Sequence, residues 1–299
     1  MKRALQLLVA GIALFLALSV HAKPKEQEFV FSVIGQPSSG DDATLRDALR
    51  HSGLVRPAFI VVNGIRPRNE SCSDSVFQRR RHLLGEADWP VIIVLTARDW
   101  AGCRSESGDS IAQERLSHLR SLLFASDHEA RTKRLTLVRQ SSAAKYRSYS
   151  ENASWQASRI LFATVNLPSN NNHYLTAAGR NNEFEDRLVA NRAWLQRIFS
   201  QAKRHKMRGI VLFADANPLA VPARTNRSDR RDGFAETRKQ ILSLSARFPG
   251  KVLLVHGQPS TGGITWRDNL GVAGAGRQSL DVAVYPTGAS VFAIRRSRK

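Results

Sequence analysis

Short apolar runs alternate with amphipathic helical patterns along almost the whole chain, and this alternation constrains the fold more than any other feature. The runs Phe29 to Ile34, Ala58 to Val62, Val91 to Leu95, Ile160 to Val165, Ile210 to Phe213 and Val252 to Val255 read as buried strands. Asp281 to Tyr285 and Ser290 to Ile294 flank Pro286-Thr287-Gly288, which predicts a closing hairpin. Between the strands lie helical signals. Asp41 or Asp42 can cap a helix in which Leu45, Ala48 and Leu49 share a face and which Gly53 ends. Ser73 opens a second, running to Gly85. Ser110 with Gln113 resembles a capping box before Leu116, Leu119 and Leu123. A long helix is predicted from Glu183 to about Lys206, with Phe184, Leu188, Trp194, Leu195 and Ile198 turned inward, and a last one from about Ala235 to Phe248. Interleaved strands and helices argue an α/β class with much parallel pairing. Gly271, Gly274 and Gly276 form G-x-x-G-x-G with no helix after it, so a loop is expected there instead of a dinucleotide site.

The chain has 299 residues, 42% hydrophobic and 23% charged, which excludes a disordered polymer, a fibrous repeat and a disulfide-rich mini-protein. Lys2 and Arg3, an uncharged run from Leu5 to Val20, and Val20-His21-Ala22 read as a secretory signal over residues 1–22. An uncleaved anchor is the alternative, although the run is shorter than the ~20 residues a spanning helix needs. Residues 23–299 are expected to form a single domain with a short basic C-terminal tail. Export, to the periplasm or outside the cell, with no transmembrane segment left after cleavage, is the expectation. It places Cys72 and Cys103 where one disulfide is expected, closing a loop of about thirty residues for roughly 3 kcal/mol. Two buried free thiols are the alternative. Two cysteines cannot make a four-thiolate zinc site.

The formal charge is +20, from 45 basic and 25 acidic residues, and 35 of the basic residues are Arg. A phosphate-bearing or otherwise anionic ligand or surface is the partner this charge suggests. Arg79-Arg80-Arg81 spreads over most of a helical turn and makes no single patch. Arg224, Arg227, Arg230 and Arg231 sit in one polar segment, and Arg295, Arg296, Arg298 and Lys299 form the basic tail. Without a base-reading motif, sequence-specific nucleic-acid recognition is not expected.

In α/β folds, ligands gather at the carboxyl ends of the strands. Those ends are Gly35-Gln36, Asn63-Gly64, Thr96-Ala97-Arg98-Asp99, Asn166, Asp215-Ala216-Asn217 and His256-Gly257-Gln258. In order, with the landmarks Cys72-Ser73-Asp74, Trp100 three residues before Cys103, Arg115-Leu116 with Leu119-Arg120, Asn152 before Trp155, Asn170-Asn171, Asn191 before Trp194-Leu195, and Val255-His256-Gly257, they resemble a secreted branch of the calcineurin-like metallophosphoesterases. The resemblance covers roughly Phe29 to Ile294. It implies a two-sheet β-sandwich flanked by helices, with two divalent ions about 3.5–4 Å apart at the strand ends.

The family's ligand motifs are D-x-H, G-D, G-N-H-[DE], a lone His and G-H-x-H. The first acidic position falls on Gln36 and its histidine on Ser38. The bridging Gly-Asp falls on Asn63-Gly64, which leaves no side chain to bridge. The metal-binding amide becomes Arg98, with Asp99 following. The lone-histidine segment is Ala214-Asp215-Ala216-Asn217, and the last motif is Gly257-Gln258-Pro259-Ser260. His256 stands just before that last motif and is not its ligand. The resemblance therefore implies a vestigial pocket of Gln36, Asn63, Gly64, Arg98, Asp99, Asp215, Asn217, His256, Gln258 and Ser260, with no metal or catalytic residue and no cofactor.

Divalent metal ions would return if Asp41, Asp42, Asp99, Asp215 and His256 had rebuilt a site. Each has a plainer reading: helix caps for Asp41 and Asp42, pairing with Arg98 or Arg104 for Asp99, a turn before Pro218 for Asp215 and Asn217, and a hydrogen-bonded buried ring for His256. Ser38, Ser39 or Ser260 with His256 as base lacks a G-x-S-x-G elbow. The expected function is thus an inactive, exported phosphoesterase-fold binding module, in which Arg98 could hold a phosphate or carboxylate. The alternatives are an active metal-dependent phosphoesterase with atypical ligands and a basic polyanion-binding surface protein.

Overall fold

A computed structural model describes residues 27–35, 41–124, 135–175, 181–221, 231–260, 262–276 and 279–295. The segment expected to be a signal, Gln36, Ser38, Ser39, Arg224, Arg227, Arg230 and the end of the basic tail lie outside the described residues.

The apolar runs become the strands of two sheets. In chain order the elements are β1 (Phe29–Ile34), α1 (Asp42–Gly53), β2 (Ile60–Asn63), α2 (Asp74–Gly85), β3 (Val91–Val94), α3 (Ala112–Phe124), β4 (Val138–Arg139), β5 (Ala153–Ala157), β6 (Ile160–Thr164), α4 (Asn182–Arg204), β7 (Gly209–Ala214), α5 (Ala235–Ala246), β8 (Lys251–His256), β9 (Thr265–Arg267), β10 (Leu270–Gly274), β11 (Ser279–Val284) and β12 (Phe292–Ile294). One sheet has the order β12-β11-β1-β2-β3 and the other β4-β5-β6-β7-β8-β10-β9. β1, β2 and β3 are parallel, as are β6, β7, β8 and β10. β11 and β12 form the expected antiparallel pair.

The period of two along each strand divides the side chains between three cores. Val61 on β2 and Val211 and Phe213 on β7 point between the sheets, where Phe31, Phe59, Trp155 and Phe162 join them. The rings of Phe59 and Phe162 meet edge to face at 4.9 Å. Ile60 and Val62 face the other way, onto α1, α2 and α3. Ile210, Leu212 and Ala214 pack on α4 and α5. The result is a mixed α/β sandwich of two sheets with helices on both outer faces, and strands covered on both sides read as unbroken apolar runs for that reason. No helix of the described residues is long and apolar enough to cross a membrane.

The helix expectations hold closely except at the start of α3. Asp41, not Asp42, caps α1 by accepting from the Thr44 amide. All five inward residues named for α4 are buried. Arg79 and Arg80 both pair with Asp42 and Glu70, so the triple arginine is no patch.

Two expectations need correction. Ser110 does not open α3: it lies in a bridge with Arg104, and the helix begins at Ala112. The glycine segment is not a loop but β10, which carries Gly271 and Gly274. A β-carbon on Gly271 would stand 2.8 Å from Trp266, and one on Gly274 2.5 Å from the Gln258 carbonyl. These glycines mark close approach within a sheet.

Candidate functional site

The parallel strands of both sheets bring their carboxyl ends to one pole, and the polar residues there are buried. Asn63, Asp99, Asn166, Asp215 and His256 are each at most 3% exposed. A buried carboxylate needs donors, and Asp99 has four. Its Oδ1 accepts from the Ile65 and Arg66 amides at 3.0 and 2.9 Å, and its Oδ2 from the Thr96 amide and hydroxyl at 2.7 and 2.9 Å. Burial pushes its pKa up while these donors pull it down. The expected pairing with Arg98 or Arg104 is not what holds Asp99. Arg104 donates instead to the Gly108 carbonyl, while the backbone carbonyl of Arg98 accepts from the Arg66 side chain.

Asp215 ties the two sheets together. Its Oδ2 accepts from the amides of Ala97 and Ser169, both at 2.8 Å. Burial raises its pKa and the amides oppose that rise. Asn217, read as a turn residue, accepts from the Leu219 amide through Oδ1, and Gln258 Oε1 accepts from the Asn217 amide.

Gly64 turns the chain after β2 at φ 81, a conformation that favours glycine. Asn63 lies under Gly257, where a β-carbon would stand 2.1 Å from Asn63 Nδ2. The Asn63 Oδ1 is buried and has no hydrogen-bond partner among the described residues. His256 Nδ1 accepts from the Gln258 amide at 3.2 Å, and burial pushes its pKa down to about 4. The ring is therefore neutral at pH 7. Ser260 Oγ accepts from the Gly274 amide at 3.3 Å. Arg98 is half-buried beside Asp99.

The paired ions that the sequence resemblance implies would need ligands from these groups. Gly64 offers no bridging side chain, both Asp99 oxygens are occupied, Asp215 already serves two amides, and Gly257-Gln258-Pro259-Ser260 carries no imidazole. The described residues do not fit a di-metal centre. Among the described residues no three His, Cys, Asp or Glu side chains gather as a metal site requires.

Two polar networks around this pole were only partly legible. In one, Asn152 donates to Gln140 and Asn191 while accepting from the Asn166 amide, and Glu151 holds Arg120 through two hydrogen bonds of 2.8 and 2.6 Å. Asn152 and Asn191 stood out as landmarks, but nothing in the sequence coupled them. The other was missed. Arg187, fully buried, is gripped by Glu183 and Asn172 and lies 5.6 Å from the Trp100 ring, which in turn meets His173 at 4.8 Å. Asn171, Asn172 and His173 all take positive φ. The run of asparagines from Asn170 to Asn172 was the available signal, since Asn tolerates that region better than most residues.

No protein-family model matches the sequence, and no curated protein matches it. A candidate 5'-nucleotidase from Staphylococcus aureus, crystallised with alpha-ketoglutarate, is similar in structure with a TM-score of 0.39 and 11% identity. The match covers 90% of this chain and 53% of that one, so this chain spans about half that protein's length. A score of this size assigns neither a family nor a substrate.

Cys72 and Cys103 are joined in a disulfide with Cα atoms 5.8 Å apart. It ties the start of α2 to the loop that carries Arg98 and Asp99.

Proposed function

We propose that this protein is an exported phosphoesterase-fold protein without metal-dependent hydrolysis, working as a binding module for an anionic ligand or partner. The observation that carries the reading is the saturation of Asp99, whose two oxygens already accept four hydrogen bonds. A carboxylate so engaged has little left to offer an ion and acts as a structural tie. Gly64 in place of a bridging carboxylate, and Arg98 in place of a ligand amide, support the same reading. A cation beside two divalent ions would be repelled. The basic n-region with its apolar run and the Cys72–Cys103 bond support export.

The test is metal content after dialysis, together with hydrolysis of a generic phosphodiester and phosphomonoester under added manganese, nickel or zinc. The expected result is substoichiometric metal and no turnover above background. Turnover abolished by chelator and by His256→Ala would instead establish an active enzyme with atypical ligands.

A further inference from the structure

The opposite pole of the seven-stranded sheet carries a different chemistry. Arg159 immediately precedes β6, Arg208 precedes β7, and Lys251 opens β8. The three strands run parallel in register, so their amino ends bring these cations to one rim. Lys203, in the last turn of α4, and Lys206, just beyond it, complete the rim. Together the five line a cleft of about 420 Å³ with no Asp or Glu among the described residues of its lining, a volume within the range of small-ligand sites.

We infer that this cleft binds phosphate groups. Its walls are fixed in advance. Asn269 Nδ2 lies within hydrogen-bonding distance of the carbonyls of Ser245, Phe248 and Gly250, which holds the α5–β8 turn. Gly250 lets that turn close on Arg208, where a β-carbon would lie 2.4 Å from the Arg208 carbonyl.

Three of the five cationic heads are oriented by backbone. Arg159 donates to the Lys206 carbonyl at 2.7 Å, Arg208 to Gly288 at 3.0 Å, and Lys251 to Asp268 at 3.2 Å. The carbonyls position Arg208 and Lys251 but do not neutralise them. Elsewhere Arg80, Arg120, Arg187 and Arg238 each meet a carboxylate. Lys203, Lys206, Arg208 and Lys251 meet none among the described residues. Clustered like charge in a concavity concentrates anions there. Guanidinium forks and ammonium groups are the partners that phosphate oxygens take. The phosphate could be that of a soluble polyphosphate or of lipid head groups.

The purified protein is titrated calorimetrically with tripolyphosphate, and separately sedimented with phosphatidylglycerol vesicles against phosphatidylcholine vesicles. Two cleft variants, Lys203→Gln/Lys206→Gln and Arg208→Gln/Lys251→Gln, are compared with Arg46→Gln/Lys239→Gln, which removes equal charge from exposed positions elsewhere. Lys203 and Lys206 are exposed, so their variant keeps the test valid should the other unfold. Expected is binding to one phosphate source or both, weakened roughly tenfold or more by the cleft variants and little changed by the control. The tighter-binding source identifies the carrier. No binding to either source, or equal loss in the control, overturns the inference. The cleft shares no residue with the strand-end pole, so either result leaves the reading of Asp99 and Asp215 untouched.

Discussion

Asp215, just past the end of β7, accepts the backbone N–H of Ala97 at 2.8 Å from the loop after β3, so one carboxylate oxygen links the two sheets at their polar end. The same oxygen takes the Ser169 amide. Asp215→Asn retains an acceptor there, and its expected stability loss is under about 1 kcal/mol. Asp215→Ala leaves two amides unpaired and is expected to cost about 2–4 kcal/mol in urea denaturation. Equal losses for the two variants would show that charge, not the acceptor, matters.

Asp99 should behave differently, because both of its oxygens accept. In Asp99→Asn an NH2 must face either the Ile65 and Arg66 amides or the Thr96 pair. The expected loss is about 2 kcal/mol or more, read as a lower denaturation midpoint with unchanged slope. A neutral outcome would show that relief from burying charge offsets the lost hydrogen bonds.

Gly257→Ala should be destabilising, since its β-carbon would fall on the Asn63 amide. Truncating that amide in Asn63→Ala makes room. A double-mutant cycle is expected to give a coupling of roughly 1–2 kcal/mol, the double variant being more stable than the sum of singles predicts. Additivity would mean that the two residues do not press on each other.

His256 sets a pH dependence. Its folded pKa is about 4 against 6.5 unfolded, so the unfolded chain binds the extra proton between those values. Stability is full above pH 6.5 and falls as pH drops toward 4, by about 3 kcal/mol in total. Asp99 and Asp215, with raised values, act with opposite sign at the acid end. The comparison is therefore with His256→Asn, which keeps an acceptor for the Gln258 amide. The wild-type loss between pH 6.5 and 4 should exceed that of the variant, and parallel curves would disprove the assignment.

Removing the Cys72–Cys103 bond opens a loop of sequence separation 31. Replacing both by Ser is expected to lower stability by roughly 3 kcal/mol, within the usual range for native disulfides. Thermal unfolding of the oxidised and double-Ser proteins checks this.

The strands were legible where both faces are dry. Val61 and Val62 face different cores, yet both are apolar, and the run announces itself. β10 was not legible, because Gly271 and Gly274 carry no side chain to show a pattern and their role lies in what approaches them. β5, Ala-Ser-Trp-Gln-Ala, is too mixed to stand out. At the strand ends the residue types could be read but not their bonds. Asp99 resembled an ion-pair partner, whereas it is held by amides from two loops. The five cations of the opposite cleft lie between positions 159 and 251, so no window of sequence groups them. The triple arginine at 79–81, conspicuous in sequence, is largely absorbed by Asp42 and Glu70.

The outermost strands of the larger sheet, β4 and β9, are two and three residues long, and β12 at one border of the smaller sheet has three. Such stubs leave few open backbone groups on which another molecule could add a ribbon of its own. A chain built so heavily from apolar strands is thereby guarded, once folded, against edge-to-edge fibril growth.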